Sequence, residues 1–365
     1  MCQFERNLVW GQCCGEPSLA DCSAFRSGSC AMRRLRLAVL LMCASIAALW
    51  LVLFASSVAL GQQPLDRRPS ITAVERIEMT VGDMDRSLRF FTDVLECEVI
   101  RDVTAMIPGE RELVQVANTR IRQADLKLGD EYLRLTEYLD DRGDPMPADS
   151  RGNDHWFQHV AIIVSDMDRA YAKLREHKVK HASSGPQTLP EWNLNAAGIR
   201  AFYFRDPDGH FLEILKFPED KGDAKWHQVS DRLFLGIDHT AIVVSDTDES
   251  LKFYRDELGL SVAGESENHG FEQEHLNGVF GARLRITTLR APAGPGIELL
   301  EYLSPTDGRA MPSHVRPQDI LYWKIHLAAD SKARVTAGSS GFATVVLHDP
   351  NGHWLSIRTQ QGTQR

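Results

Sequence analysis

One stretch of this chain is written twice. "ERIEMTVGDMDRSLRFFTDVLECEVI" at 75–100 returns as "DHTAIVVSDTDESLKFYRDELGLSVA" at 238–263, an offset of 163 positions. "LRLTEYL" at 133–139 returns as "IELLEYL" at 297–303, an offset of 164, so the intervening loops differ by one residue. A repeat of this size is a unit of folding, and copies must share a core that none can bury alone. Each half divides again. "HVAIIVSDMDRAYAKLREHKV" at 159–179 has the same strand–turn–helix character as the two openings, and the hairpin "DPDGHFLEILKF" at 206–217 reappears as "DPNGHWLSIRT" at 349–359. The second hairpin keeps the turn but carries Ser356 where the first has Glu213.

The local signals agree with a strand–helix–strand unit. Each opening alternates apolar residues as a half-buried strand does, then presents an Asp that can cap a helix. Apolar spacing marks the helices at Leu88, Phe91 and Leu95, and at Leu251, Tyr254 and Leu258. Asp246 and Glu249 are spaced as a capping box. Asp-Pro-Asp-Gly between two apolar runs is hairpin chemistry. The fourth opening, around "LYWKIHLAAD", is weaker and its unit shorter. The expected fold is α+β, with four tandem β-α-β-β-β modules paired into two cup-shaped barrels after an N-terminal signal or anchor segment. The modules are placed at 72–143, 155–217, 234–304 and 318–360, with a linker at 218–233.

Charged residues make up 25% of the 365 residues and the formal net charge is −9, which predicts a soluble body without attraction to nucleic acid or anionic lipid. Residues 32–61 stand apart: "MRRLR" leads into an apolar run closing on Ala59-Leu60-Gly61. That is the form of a signal peptide cut before Gln62, and the run is also long enough to anchor the chain if uncut. Export to the periplasm or exterior, or membrane anchoring through this segment alone, follows. Residues 1–31 precede the signal, read as a mis-annotated extension, and hold Cys2, Cys13, Cys14, Cys22 and Cys30. Past residue 61 only Cys97 remains, which excludes a disulfide framework there.

The stretches "HVAIIVSDMDRA", "DHTAIVVSDTDESLKFYRDELGL", "YFRDPDGHFLEI" and "GIELLEY" resemble the vicinal oxygen chelate superfamily, which holds glyoxalase I, fosfomycin-resistance enzymes, extradiol dioxygenases and methylmalonyl-CoA epimerase. The resemblance covers about residues 72–360. It implies that each unit offers one metal ligand early in its first strand and one in its last. Counting back seven from the turn Asp gives His159 and His239 in the second and third units, and Arg76 in the first. In the fourth, the count gives Trp323 and a gapless slide gives Lys324. The last-strand positions are Arg134, Glu213, Glu298 and Ser356 in chain order. The middle units are thus complete and the outer two degenerate. Pairing the second unit with the third, and the first with the fourth, would gather His159, Glu213, His239 and Glu298 around one ion.

Two imidazoles and two carboxylates suit Zn, Ni, Mn or Fe(II). By resemblance, Glu213 is the catalytic base and Glu298 a ligand or partner acid. The activity implied is that of a glyoxalase I-like lyase or isomerase acting through a chelated enediolate on a small vicinal-oxygen substrate. The alternatives are an extradiol-type Fe(II) dioxygenase and a non-catalytic binding module, for a chain that is a monomer or homo-oligomer. No residue marks a glutathione pocket. Glu137 and Glu301 lie three residues past the ligand positions, on the opposite sheet face, and receive no ligand role. His210 and His353 are assigned to the hairpins, His155 and Trp156 to the cup edge, 264–285 to a mobile loop that lines or covers the cup, and Arg76, Arg134 and Lys324 to solvated charge, with an anion site as the alternative.

Overall fold

The computed structural model describes residues 70–106, 119–330 and 342–360, all within one compact unit, Pro64–Arg365. The signal or anchor segment at 32–61 and the extension at 1–31 lie outside the described residues. Among the described residues no helix is long and apolar enough to cross a membrane.

The first unit supplies strands β1 (Ile71–Thr80), β2 (Glu98–Met106), β3 (Arg120–Leu128) and β4 (Glu131–Tyr138), with helix α1 (Met84–Arg89) after β1. The second supplies β5 (Gln158–Val164), helix α2 (Met167–Glu176), the short β6 (Lys180–His181) and β7 (Gln187–Thr188), then β8 (Arg200–Arg205) and β9 (Phe211–Lys216). The third gives β10 (Phe234–Val244), helix α3 (Thr247–Leu251), β11 (Ser261–His269), helix α4 (Phe271–Asn277), β12 (Arg283–Arg290) and β13 (Gly296–Ser304). The fourth gives β14 (Trp323–Ala329), β15 (Phe342–His348) and β16 (Trp354–Gln360).

These strands form two mixed sheets. One runs β15-β16-β14-β1-β4-β3-β2 and joins the first unit to the fourth. The other runs β11-β12-β13-β10-β5-β9-β8-β6 and joins the third to the second. Within a unit the first strand lies parallel to the last, as β5 does to β9 and β10 to β13. The units meet through antiparallel first strands, β5 with β10 and β1 with β14. Within each half, the two neighbouring units therefore do not share a sheet. They meet through the helix-bearing faces instead: Phe91 and Leu95 of the first unit belong to one core with Val160, Ile162 and Leu174 of the second. A second such core joins Tyr254 and Leu258 to Ile325 and Leu355. Each fully buried side chain of this kind contributes roughly 1.5–3 kcal/mol of transfer free energy, so the helical faces hold each half together.

The caps follow the sequence. Asp83, Asp166 and Asp246 accept from the backbone N–H of Arg86, Arg169 and Glu249 at 2.9–3.0 Å. The capping box is half made, because Glu249 pairs with Lys252 rather than returning to the cap. Glu137 and Glu301 do lie on the helix side, where they accept from Met84 N at 3.3 Å and Thr247 N at 3.2 Å. Both hairpin turns are built alike. Asp206 Oδ1 accepts from Asp208 N and His210 N, and Asp349 Oδ1 from Asn351 N and His353 N. Gly209 and Gly352 sit at φ +96° and +95°, which a side chain would strain. His210 Nε2 donates to Ile320 O at 3.1 Å and His353 Nε2 to Val243 O at 2.9 Å, so each imidazole pins its hairpin to a unit of the other sheet.

Four local expectations change. The 264–285 stretch is strand and helix rather than mobile loop, because its amides are buried partners. Asn193 donates to Asn268 (2.6 Å), Asn268 to Gln273 (3.0 Å), Gln273 to Asn277, and Asn277 to Tyr302 (2.5 Å). Trp156 does not edge the cup: its Nε1 donates to Ser150 Oγ and its ring carries the Arg309 guanidinium. His155 likewise donates its backbone N–H to Arg309 O at 2.8 Å. The linker is no plain spacer, since Trp226 is buried within it. Of the basic residues of the outer cup, Arg134 and Lys324 are closely paired rather than solvated.

Candidate metal centre

Alternation decides what faces the cup. Along β5 and Phe157 just before it, Phe157 and Ile163 join the inner core while Val160 and Ile162 join the helix-side core, so His159 and Ala161 face inward. The same parity brings Glu213 inward on β9, His239 and Ala241 on β10, and Glu298 on β13. Across the seam, Ala161 is opposite both His239 and Glu213, and Ala241 is opposite both His159 and Glu298. Two fully buried alanines thus form the floor of a space ringed by two imidazoles and two carboxylates.

All four nominated residues meet there. His159 Nε2 lies 3.1 Å from Glu213 Oε2, and His239 Nε2 lies 3.7 Å from that oxygen and 3.4 Å from Glu298 Oε2. His159, Glu213 and His239 offer donor atoms within 4.8 Å of one another. Both nitrogens of His159 and Nε2 of His239 are buried without a hydrogen-bond partner. A buried polar atom left unpaired costs about 1–3 kcal/mol, and the two Nε2 atoms turned to the same Glu213 oxygen fit a site shaped for a cation. Nitrogen and carboxylate donors in this number fit a divalent transition ion.

Around these residues stands a supporting layer that the sequence reading missed. Asp238 Oδ2 accepts from His239 Nδ1 at 2.9 Å, which turns Nε2 towards the cluster. Adjacent strand residues normally face opposite ways, but the β5–β10 register slips between Ile237 and His239, leaving Asp238 outside the ladder. Arg290 and Trp226 Nε1 both donate to Asp238. Thr288 Oγ1 donates to Glu298 Oε1 at 2.8 Å. The Tyr203 ring lies 4.8 Å from that of His159, tilted by 54°. Only Asp238's place beside His239 was a signal in the sequence, and Glu75 holds the matching place in a unit with no ligands.

Burial works against the charged form of His239, yet Glu298, Asp238 and Glu213 outweigh it and lift its pKa to about 9. Burial pushes the Asp238 carboxyl up, while His239 and Arg290 hold it well below the usual carboxylate range. A cavity of about 510 Å³ opens beside the cluster, bordered by Glu213, His239 and Glu298, with Asn195, Asn268 and Thr288 among its polar walls. His159 lies beneath it, fully buried.

The outer cup is different. Register places Arg76, Arg134, Lys324 and Ser356 at the positions equivalent to His239, Glu298, His159 and Glu213. The fourth-unit count from Asp330 was one residue off, because Lys324 and not Trp323 faces inward. The floor alanines are replaced by Glu78 and His326. Glu78 fills the space, paired with Lys324 (3.1 Å), His326 (2.5 Å) and Thr136 (2.8 Å). Internal charge occupies the place an ion would take.

The family model of the Glyoxalase/Bleomycin resistance protein/Dioxygenase superfamily matches residues 73–214 and 236–357. The chain belongs to this superfamily. A relative within reach of sequence comparison is a 2-epi-5-epi-valiolone epimerase from Actinomyces sp, 32% identical over 155 residues, which are 41% of this chain and 82% of the relative. Among solved structures, a single-site variant of glyoxalase I from Zea mays superposes with a TM-score of 0.51 at 15% identity, covering 79% of this chain and 92% of that one. Glyoxalase I from Zea mays itself gives a TM-score of 0.50 at 14% identity, over 79% of this chain and 92% of that one. At such identity the superfamily's likeness in structure speaks for the fold alone.

Proposed function

We propose that this superfamily member is a metal-dependent isomerase, in its simplest form an epimerase, that moves a proton at a carbon beside a substrate carbonyl. The carrying observation is the ring of His159, Glu213, His239 and Glu298 with its unpartnered imidazole nitrogens. A divalent ion held by those four would act as a Lewis acid on two neighbouring substrate oxygens. The rest falls to the protein. Epimerisation removes a proton on one face of a carbon and returns one on the other, which asks for two acid–base groups or one that changes sides. Two carboxylates of unequal setting stand in this site. The Glu213 side chain is 4% exposed between both imidazoles, whereas Glu298 is 18% exposed and reaches the cavity with Thr288 fixing one oxygen. The resemblance favours Glu213 as base; accessibility favours Glu298. A pair that exchanges the two roles reconciles them, and it supports the epimerase relative as the better guide than a lyase.

Charge narrows the substrate. The cations bordering the cavity are Lys221 and Arg290. Arg290 is spent on Asp238, and Lys221 donates to Leu194 O at 3.0 Å. Glu213 and Glu298 would be balanced by the divalent ion they hold, and Glu265 is paired with Arg285 at 3.3 Å, so the wall offers no spare cation for an anionic carrier group. This favours a small neutral hydroxycarbonyl compound over a glutathione adduct or a coenzyme A thioester.

The test is proton exchange. The metal-loaded protein, given a panel of hydroxyketones, 1,2-dicarbonyls and catechols in D₂O, should place deuterium at the carbon beside the carbonyl. Glu213→Gln and Glu298→Gln should each slow exchange by roughly 10²–10⁴-fold. Oxygen consumption with catechol ring cleavage would establish a dioxygenase instead, and ligand binding with no turnover a binding module.

A further inference from the structure

The outer cup carries a second opening, a cavity of about 460 Å³ bordered by Arg76, Ile100, Asp125, Tyr132 and Pro295 among others. Its charge is unevenly matched. Asp125 is held bidentately by Arg134 at 2.6 and 2.9 Å, which uses both of its oxygens well. Arg76 and Arg101 reach the same carboxylate only at 3.6 and 3.7 Å. Arg76 Nε is buried with no partner. Burial and the neighbouring Arg134 both depress the Arg76 pKa, so this cation is crowded rather than satisfied. The acids that also border the cavity are engaged elsewhere: Glu75 with Arg358, and Glu131 with Lys225 and with Ile237 N at 3.0 Å. Asp130 sits exposed at the rim. Ile100 and Tyr132 are 47% and 37% exposed, an uncovered apolar edge beside a half-satisfied guanidinium.

We propose that this cavity binds a small organic carboxylate with an apolar or aromatic body. The carboxylate takes the open Nη edge of the Arg76 guanidinium, whose side chain is 27% exposed, a planar bidentate match that a lysine cannot reproduce. The body covers Ile100, Tyr132 and Pro295. The site owes nothing to the metal cluster, and its occupation is independent of the activity proposed above.

Calorimetric titration of the purified protein with benzoate, in low-chloride buffer, tests this directly. Saturable binding at one site per chain is expected, weaker by at least tenfold in Arg76→Lys and lost in Arg76→Gln. Ile100→Glu alters the exposed rim without touching Asp125 and should also abolish binding, which keeps the test open if the arginine variants misfold. Acetate, which lacks the body, should bind more weakly than benzoate. No saturable benzoate binding, or binding undiminished in folded Arg76 and Ile100 variants, overturns the proposal.

Discussion

At the scale of residues, the two cups differ in their floors as well as in their ligands. Ala161 and Ala241 leave room above the β5–β10 seam, where His326 and Glu78 fill it in the outer cup. Ala241→Val should therefore remove metal binding while the protein still folds, at an overpacking cost of about 1–3 kcal/mol. A metal titration followed by a melting curve checks both parts. The proton on His239 gives a second expectation. Its pKa of about 9 lies above the ordinary imidazole value, so metal-free protein gains stability from this cation in full below the unfolded pKa of about 6.5, and loses it as pH rises through about 9. An ion must displace that proton. Metal uptake at pH 7 should release about one proton per chain, and affinity should rise with pH until about 9. Calorimetry in buffers of different ionisation enthalpy measures the release.

At the scale of elements, the segment between the halves contributes to the site. Trp226, in a short helical turn at Ala224–His227, donates to the carboxylate that orients His239. Trp226→Phe keeps the packing and drops the bond, so metal affinity should fall by up to about tenfold with little change in melting temperature. A competition titration against a chelator would read it. Much of the element plan was legible, because the repeat offset, the capping aspartates and the Asp-Pro-Asp-Gly turn are local signals. Three of the four site positions were legible for the same reason, His159, His239 and Glu213 each lying seven residues from a turn Asp, and Glu298 from its place in the last strand of its unit. Asp238, Arg290 and Thr288 were not, since they act through a strand irregularity and cross-strand contacts that no linear spacing encodes. Asn268, Gln273 and Asn277 misled in the other direction. Their composition reads as loop, but each amide finds a buried amide or phenol partner.

At the scale of the whole molecule, sharing of sheets decides how many centres a chain can hold. Partnering the second unit with the third puts two imidazoles and two carboxylates on one seam, and leaves the first and fourth to close around Glu78, Lys324 and His326. Degeneracy in the outer cup is then a rebuilt interior with its own ion pairs. One ion per chain is the expected stoichiometry. The decisive measurement is metal content by mass spectrometry of the purified protein after loading and desalting. The prediction is one divalent transition ion per chain, falling to none in the double variant His159→Ala, His239→Ala. Two ions per chain, none at all, or one ion retained without those two imidazoles would contradict it.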